Sequence, residues 1–524
     1  MNKIAILSIV TIFSWLSVAS QTKDSLINYP ELQKRELAVI NQQWNTTDNA
    51  AGMAFSNVNR GSFTTLGTYR SNGDYHRVQE GSSNKGLKFS TVRYDRFNEK
   101  VYVRGSFCFN MNKEYDRAWS DVVNTYNSNP YIYGSSVRGN YEMQKFDLNL
   151  KVYTIPVGRF NFGLTLDYHV SDISRQRDPR SRSYTIDYSI IPSLTYSLSS
   201  KSKAGVDIYY RYDKEKLPGL STVQTDPNLK YYTFTGMENA IGRIGGYKAF
   251  SRQFISDYIG GSFQYNYDNK TVKWLLSVGM DAQWQETLGD KKQSPGSYNS
   301  FNYKFLSNMI VRKSNLLHNF LIKASIKDGG ADEYRQSLES ERDTLTGITT
   351  ERWVTIYTYK NRFVVNTSNL EISWKTYSLD QTGQGYRWSA GLNAGYSDFS
   401  NIYYLPKSEY SSGKVFGGIS GSYLLYKKRD NKIEIEGDLR VGFNTDSNLT
   451  IASENEISEN ILRPDLEYHK LNTTEISGSM RYSFPMRFVK NAKLTGYARL
   501  YGGTLAAGKL SWSDFGVAIG LLTL

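Results

Sequence analysis

Four histidines are the natural candidates for proton-transfer chemistry in this chain: His76, His169, His318 and His469. His169 stands two residues from Asp167, on the same face of an alternating stretch, and a His–carboxylate pair of that kind can act as a general base. The reading the pattern favours is one more hydrated polar pair in a wet lumen. His76 lies near Ser71 and Asp74, but those spacings put nothing on a common strand face. His318 falls on an apolar phase beside a turn. His469 follows an acidic loop carrying Asp446, Glu454, Glu456, Glu459 and Asp465. Oxygen ligands suit calcium, yet the loop lacks the regular spacing of a calcium loop. Cys108 is the single cysteine, which excludes an intrachain disulfide and a cysteine-based metal site. No serine, histidine and acid fall into a nucleophile pattern. The expectation is no catalytic residue, no cofactor, no metal and no enzyme.

These polar residues sit in a frame with a period of two. From Lys145 to Val170, Phe146, Leu148, Leu150 and Val152 alternate with Lys145, Asp147, Asn149 and Lys151. After the turn Ile155-Pro156-Val157-Gly158, Phe160, Phe162, Leu164, Leu166, Tyr168 and Val170 share one face. Asn161, Thr165, Asp167 and His169 share the other. Such alternation means strands whose faces meet different surroundings, and the short turn pairs them as a hairpin. A packed core would not accept unpaired charges of both signs. Lipid on one side and a wet lumen on the other explain both faces.

The 524 residues begin with Lys3, an apolar run from Ile4 to Val18, and Val18-Ala19-Ser20 before Gln21. This reads as an export signal over residues 1–20. No later run reaches the length of a membrane helix. Residues 21–60 carry Leu37, Ile40 and Trp44 at helical spacing after Asn28-Tyr29-Pro30, and read as a plug or periplasmic segment. Residues 61–524 read as the barrel. Within it, 61–97 are either the first two strands or part of the plug, so the count is 18 or 16 strands. Arg352 to Ser378 reads as one long strand or two. Short turns alternate with long loops at 112–138, 171–184, 214–255, 286–300, 328–360, 397–414 and 445–466, the pattern of outer-membrane barrels. The fold class is all-β, a transmembrane antiparallel barrel with a short N-terminal plug. Aromatics make up 14% and the net charge is +13. The basic residues are scattered through exported strands, so no nucleic-acid partner is expected.

Three features carry a resemblance: the export signal, the tyrosine-rich barrel, and Asn49-Ala50-Ala51-Gly52 followed by Gly73-Asp74-Tyr75-His76-Arg77. The chain resembles uncharacterised plugged outer-membrane barrels of Bacteroidota. Asn49-Ala50-Ala51 also resembles the Asn-Pro-Ala hatch of fatty-acid-transporter-like barrels, with Ala50 in place of proline, and brings no substrate with it. The resemblance implies a porin-like or transporter-like barrel in a Gram-negative outer membrane. It lacks the plug size of an energised nutrient receptor.

The lumen face then becomes the candidate site. Glu434, Glu436 and Asp438 form an acidic ladder with Arg440 on the same strand. Arg104, Lys145, Asp147, Lys151, Asp167, His169, Asp207, Arg211, Lys273, Asp281, Arg481, Lys493 and Arg499 point the same way from other strands. Charged rings of this kind select solutes by sign and size, or cross-brace the wall. Loop residues Tyr115, Trp119, Tyr131 and Tyr133, with Arg175, Arg177, Arg180 and Arg182, are of the types favoured at interfaces. Their expected partners are outer-membrane lipid and lipopolysaccharide, and a surface lipoprotein or larger receptor. The expected role is passage of a small solute, or an accessory place in an uptake or secretion complex.

Overall fold

The computed structural model describes residues 31–55, 60–223, 229–244, 250–342, 345–428, 431–486 and 493–523. The export signal, Asn28-Tyr29-Pro30, the turns at Arg429-Asp430 and Lys490-Asn491, and Leu524 lie outside the described residues.

Eighteen antiparallel strands close into one barrel. Each wall strand pairs with the next in the chain, and the first (Gly61–Gly73) pairs with the last (Leu510–Thr523), from Phe63 opposite Leu522 to Gly73 opposite Trp512. Closure leaves no unpaired edge among the described residues of the lipid belt, the condition for a sheet to stand in lipid. Gly61–Gly73 and Ser83–Arg96 are both wall strands, which selects 18 over 16. Thr349–Leu379 is a single strand of 31 residues. Phe160, Phe162, Ile190, Val206, Ile208, Phe263, Val278 and Phe305 stand exposed on the outer face, forming the apolar belt that lipid covers. No described helix is long and apolar enough to cross a membrane.

Several expected loops are strand instead. The segment 171–184 shrinks to the connection between Phe160–Arg175 and Arg180–Ser197, and 397–414 to that between Tyr386–Tyr403 and Ser408–Lys428. Most of 328–360 is strand, in Leu316–Arg342 and Thr349–Leu379. The reason is physical. Beyond the lipid belt both strand faces meet water, so the apolar alternation fades while the backbone ladder continues. Tyr386 does not share the exposed outer face of nearby Trp388. The register shifts between Ser378 and Leu379, so Leu379 faces Tyr386, and this bulge turns the Tyr386 ring inward, where it is buried.

Both ends of the lumen are filled. At the end of the short turns lie the helix Leu32–Ile40 and the short 3-10 turns Gln43–Thr46 and Ala50–Phe55. At the end of the long loops a three-stranded sheet of Tyr133–Ser135, Lys230–Gly236 and Asn239–Ile244 forms a cap. Its Tyr131, Tyr133 and Tyr231 share an aromatic core with Phe254, Tyr298, Phe363 and Tyr403 of the inner wall.

Candidate functional site

The plug is seated by its backbone and by polar side chains. Asn49 Nδ2 donates to Gln264 Oε1 at 2.9 Å and to the Val206 carbonyl at 3.2 Å, while Asn49 Oδ1 accepts from Gly52 N at 3.1 Å. An asparagine is needed there because one side chain must donate to the wall and accept from its own turn. Ala51 N donates to Ser193 Oγ at 3.2 Å, Thr165 Oγ1 to the Asp48 carbonyl at 2.8 Å, and Lys151 Nζ to the Thr47 carbonyl at 2.7 Å. Two glycines permit this approach. A Cβ on Gly163 would meet Ala51 N at 2.2 Å, and one on Gly52 would enter the Trp44 ring. Gly163→Val is therefore expected to unseat residues 50–51 at a cost of about 1–3 kcal/mol. The check is proteolysis of the plug in detergent, cleaved in the variant and protected in the native chain, with the folded barrel's heat-resistant gel mobility unchanged.

The helix Leu32–Ile40 is clamped by charge. Arg481 Nη1 donates to Glu36 Oε1 at 2.5 Å, and Arg481 also bonds Glu434. Tyr386 OH, with one proton to give, donates to Glu36 Oε2 at 2.5 Å and lies 3.1 Å from Glu434 Oε1. Gln33 Nε2 donates to Glu434 Oε2 at 3.0 Å, and Lys432 pairs with Glu31. Leu37 packs among Ile310, Leu317, Tyr377, Leu379 and Tyr386.

Over the plug lies a lumen cavity of about 590 Å3. Thr46, Thr47 and Asp48 form its plug side, and Asp207, Tyr209, Asp281, Lys304, Lys323 and Glu371 line its wall. Asp281 pairs with Lys304 at 2.8 Å, and Asp207 accepts from Ser262 Oγ at 2.7 Å and from Gln264. Several of the remaining lumen candidates make cross-strand contacts. Arg211 meets Asp187 at 2.8 Å, Arg499 meets Glu436 at 2.9 Å, and Lys273 meets Asp268 at 3.5 Å. Arg104 donates to Asn149, which donates to Asp167; Arg440 lies over the Phe416 ring. His169 Nδ1 contacts Asp147 Oδ1 at 2.7 Å rather than Asp167, because Asp147 stands directly opposite it in the ladder. Lys145 and Asp438 lie on the inward phase of their strands, and Lys493 just precedes the strand Leu494–Ala507. Among the described residues no group of three or more His, Cys, Asp or Glu is placed to hold a metal.

The loop candidates divide. Trp119, Tyr131 and Tyr133 are buried in the cap instead of facing a partner. Tyr115 belongs to the wall strand Val101–Arg117, near Lys85. Arg175 is buried too: it donates to Tyr141 OH at 3.0 Å, and its guanidinium lies 4.0 Å from Asp121, both side chains fully shielded. Asp121 is the keystone of the cap, accepting from Tyr141 OH at 2.5 Å and from Tyr231 OH at 2.7 Å. Arg177, Arg180 and Arg182 remain on the surface, where Arg180 pairs with Asp178 and Arg182 with Asp172.

Sequence reasoning missed Arg77, Asp465 and His469 as one cluster. Arg77 Nε donates to Asp465 Oδ2 at 3.0 Å and its guanidinium lies over Tyr126. His469 packs edge-on against Phe399, Tyr410 and Tyr468 on the helix Arg463–Lys470. Burial, with Arg77 and Lys414 nearby, lowers the His469 imidazole to about 4. A folded value below the ordinary 6.5 means that the unfolded cap takes up this proton first. The stability it confers is present above pH 6.5 and is lost as pH falls through 4, on the order of 3 kcal/mol in all. Protease sensitivity of the loop end should rise across that window, and His469→Gln should flatten the rise.

A closed barrel with an apolar belt, a charged lumen and both ends filled defines the class: an outer-membrane β-barrel. Within that class, residues 50–523 match a family of unknown function, DUF6850, and the chain belongs to it. No curated protein matches the chain. Among solved structures it is similar to the copper transporter OprC, at 10% identity over 87% of this chain and 80% of that one, TM-score 0.38. The outer membrane transporter YddB from Escherichia coli shows 10% identity over 88% and 80%, TM-score 0.39. A Pseudomonas aeruginosa FadL homologue shows 10% identity over 91% and 92%, TM-score 0.34.

Proposed function

We propose that this chain is a gated route for a small polar solute across the outer membrane of a Gram-negative cell, reached through its N-terminal export signal. The observation that carries the proposal is the lumen cavity of about 590 Å3, floored by a plug that is seated in part through polar contacts. Polar contacts exchange readily with water, so that part of the seat can open, while Leu32, Leu37, Trp44 and Met53 form the apolar part that opening must expose. The opposed acids and lysines around the cavity give a solute both donors and acceptors. Catalysis forms no part of this reading, and no cofactor is invoked. The test is swelling of proteoliposomes in solutes graded by size, using protein released at both ends. Solutes that fit the cavity should enter and larger ones should not. If released protein admits none of them, the barrel is a braced scaffold.

A second reading rests on a different observation. Beyond its neighbours, the hairpin of Leu316–Arg342 and Thr349–Leu379 continues as a two-stranded ribbon. Residues 334–342 extend it by about 30 Å at strand rise. Leu345, Ile348, Ile356 and Tyr357 are exposed on it, and an isolated ribbon is marginal in water. An accessory role beside a surface lipoprotein or larger receptor would use this ribbon, and Arg177, Arg180 and Arg182 suit lipopolysaccharide phosphates. Crosslinked co-purification that disappears when the ribbon is shortened would favour this reading.

A further inference from the structure

Two irregularities of the backbone converge on one pocket at the loop end. Trp119 has φ +61°, a conformation that a bulky side chain adopts only when its surroundings impose it. They do so here: Trp119 N donates to the Ser135 carbonyl at 2.7 Å, and a Cβ on Gly134 would stand 2.5 Å from the Trp119 carbonyl carbon. Across the pocket, Ser458–Leu462 forms a π-helical turn. Such turns are rare and concentrate at functional sites. Between them lies a pocket of about 480 Å3, lined by Trp119, Arg138, Glu456, Glu459, Asn460 and Pro464 among others. It is separate from the lumen cavity and shares no lining residue with it.

The chemistry of its lining is specific. Glu456 is already engaged, since its Oε2 accepts from Tyr232 OH at 2.7 Å and from Lys230 Nζ at 3.0 Å. These two bonds, the phenol first, hold its carboxyl below the ordinary value. Tyr232 in turn packs on Trp119 with ring centroids 4.9 Å apart, so the Glu456 bond also fixes the indole. Arg138 and Glu459 are exposed and form no ion pair among the described residues. One guanidinium offers donors only and one carboxylate acceptors only, and together they leave no net charge to neutralise. Val78 and Pro464 supply an apolar side, backed by the buried indole and Ala118. The volume lies in the usual range of small-ligand pockets.

We infer that this pocket binds a neutral oligosaccharide presented at the loop end, its hydroxyls shared between Arg138 and Glu459 and its ring face set against the apolar side. Each sugar hydroxyl both donates and accepts, which suits a pocket lined by a donor-only and an acceptor-only group. A zwitterionic peptide would instead need its two termini at those two groups.

The experiment uses the full chain in a detergent without a sugar headgroup. An array of neutral oligosaccharides is probed first, the strongest binder is titrated calorimetrically, and triglycine is titrated beside it. The expected result is saturable binding of a saccharide, weakened about ten-fold or more, the loss of a charged hydrogen bond or two, in the double variant R138Q/E459Q. Both positions are exposed, and heat-resistant gel mobility confirms that the variant is folded. An array with no binder, unchanged affinity in the variant, or binding of triglycine in place of saccharides would each overturn the inference.

Discussion

A chain that lacks residues 31–55 and carries Asp121→Ala will conduct ions steadily in a planar bilayer, whereas the intact chain and either change alone will not. The reason is that the lumen is closed twice. The plug fills the turn end through Asn49, Arg481 and the residues around Trp44. The cap fills the loop end through an aromatic core anchored on Asp121. Removing only the plug leaves Tyr131, Tyr133 and Tyr231 packed against the inner wall. Removing only Asp121 leaves Arg175 buried without its carboxylate, a loss of about 3–5 kcal/mol to the cap, but the plug still blocks the path. An emptied barrel of about this size, roughly 16–18 strands, holds an aqueous channel. The two changes should therefore be strongly non-additive, as for two gates in series. Steady conductance from the intact chain, or from one change alone, would show that one of these closures is not a seal.

What the sequence disclosed and what it concealed follow from where each signal originates. Inside the lipid belt the two strand faces meet opposite solvents, so Phe146 to Val152 and Phe160 to Val170 state both their strands and their faces. The closed antiparallel wall follows from such stretches. Above the belt that contrast vanishes, and residues 328–342 and 349–360 read as loop although their ladder is continuous. Tyr386 was concealed for another reason: a one-residue bulge reverses a face without changing composition. The partner of His169 was legible in principle. The hairpin register that sets Leu148 against Tyr168 also sets Asp147 against His169, yet neighbours in sequence drew the reading to Asp167. The cap was concealed because Tyr131 and Tyr133 lie far from Tyr231 in the chain. Their burial is a property of the assembled mouth, and tyrosine-rich loops look alike whether they face a partner or one another. The charge pairs of the lumen sit between these cases. Alternation puts Arg481, Glu434 and Glu436 on the inner face, but only the strand order shows which of them meets the plug.

Arg481→Ala should release the helix Leu32–Ile40 from the wall. One guanidinium holds two carboxylates, Glu36 of the plug and Glu434 of the wall, and Tyr386 OH donates its one proton to Glu36 while lying close to Glu434. Without the arginine, two like charges face each other in a largely buried site with a single phenol between them. Breaking such a pair from one side costs on the order of 3 kcal/mol, because the charges left behind remain desolvated. Glu36→Gln is milder: it keeps Arg481 with Glu434 and weakens one contact, costing about 1 kcal/mol. Hydrogen exchange of the Leu32–Ile40 amides reports the opening directly. The arginine variant should exchange roughly 100-fold faster than the native chain, and the glutamine variant only several-fold faster. Replacing Arg481, Glu36 and Glu434 together by methionine, leucine and methionine should recover most of the protection, since no uncompensated charge is left. That recovery separates the loss of an attraction from the exposure of a repulsion. Unchanged exchange in Arg481→Ala would mean that Leu37 and its apolar neighbours alone hold the helix, and that the charge network braces the wall rather than the plug.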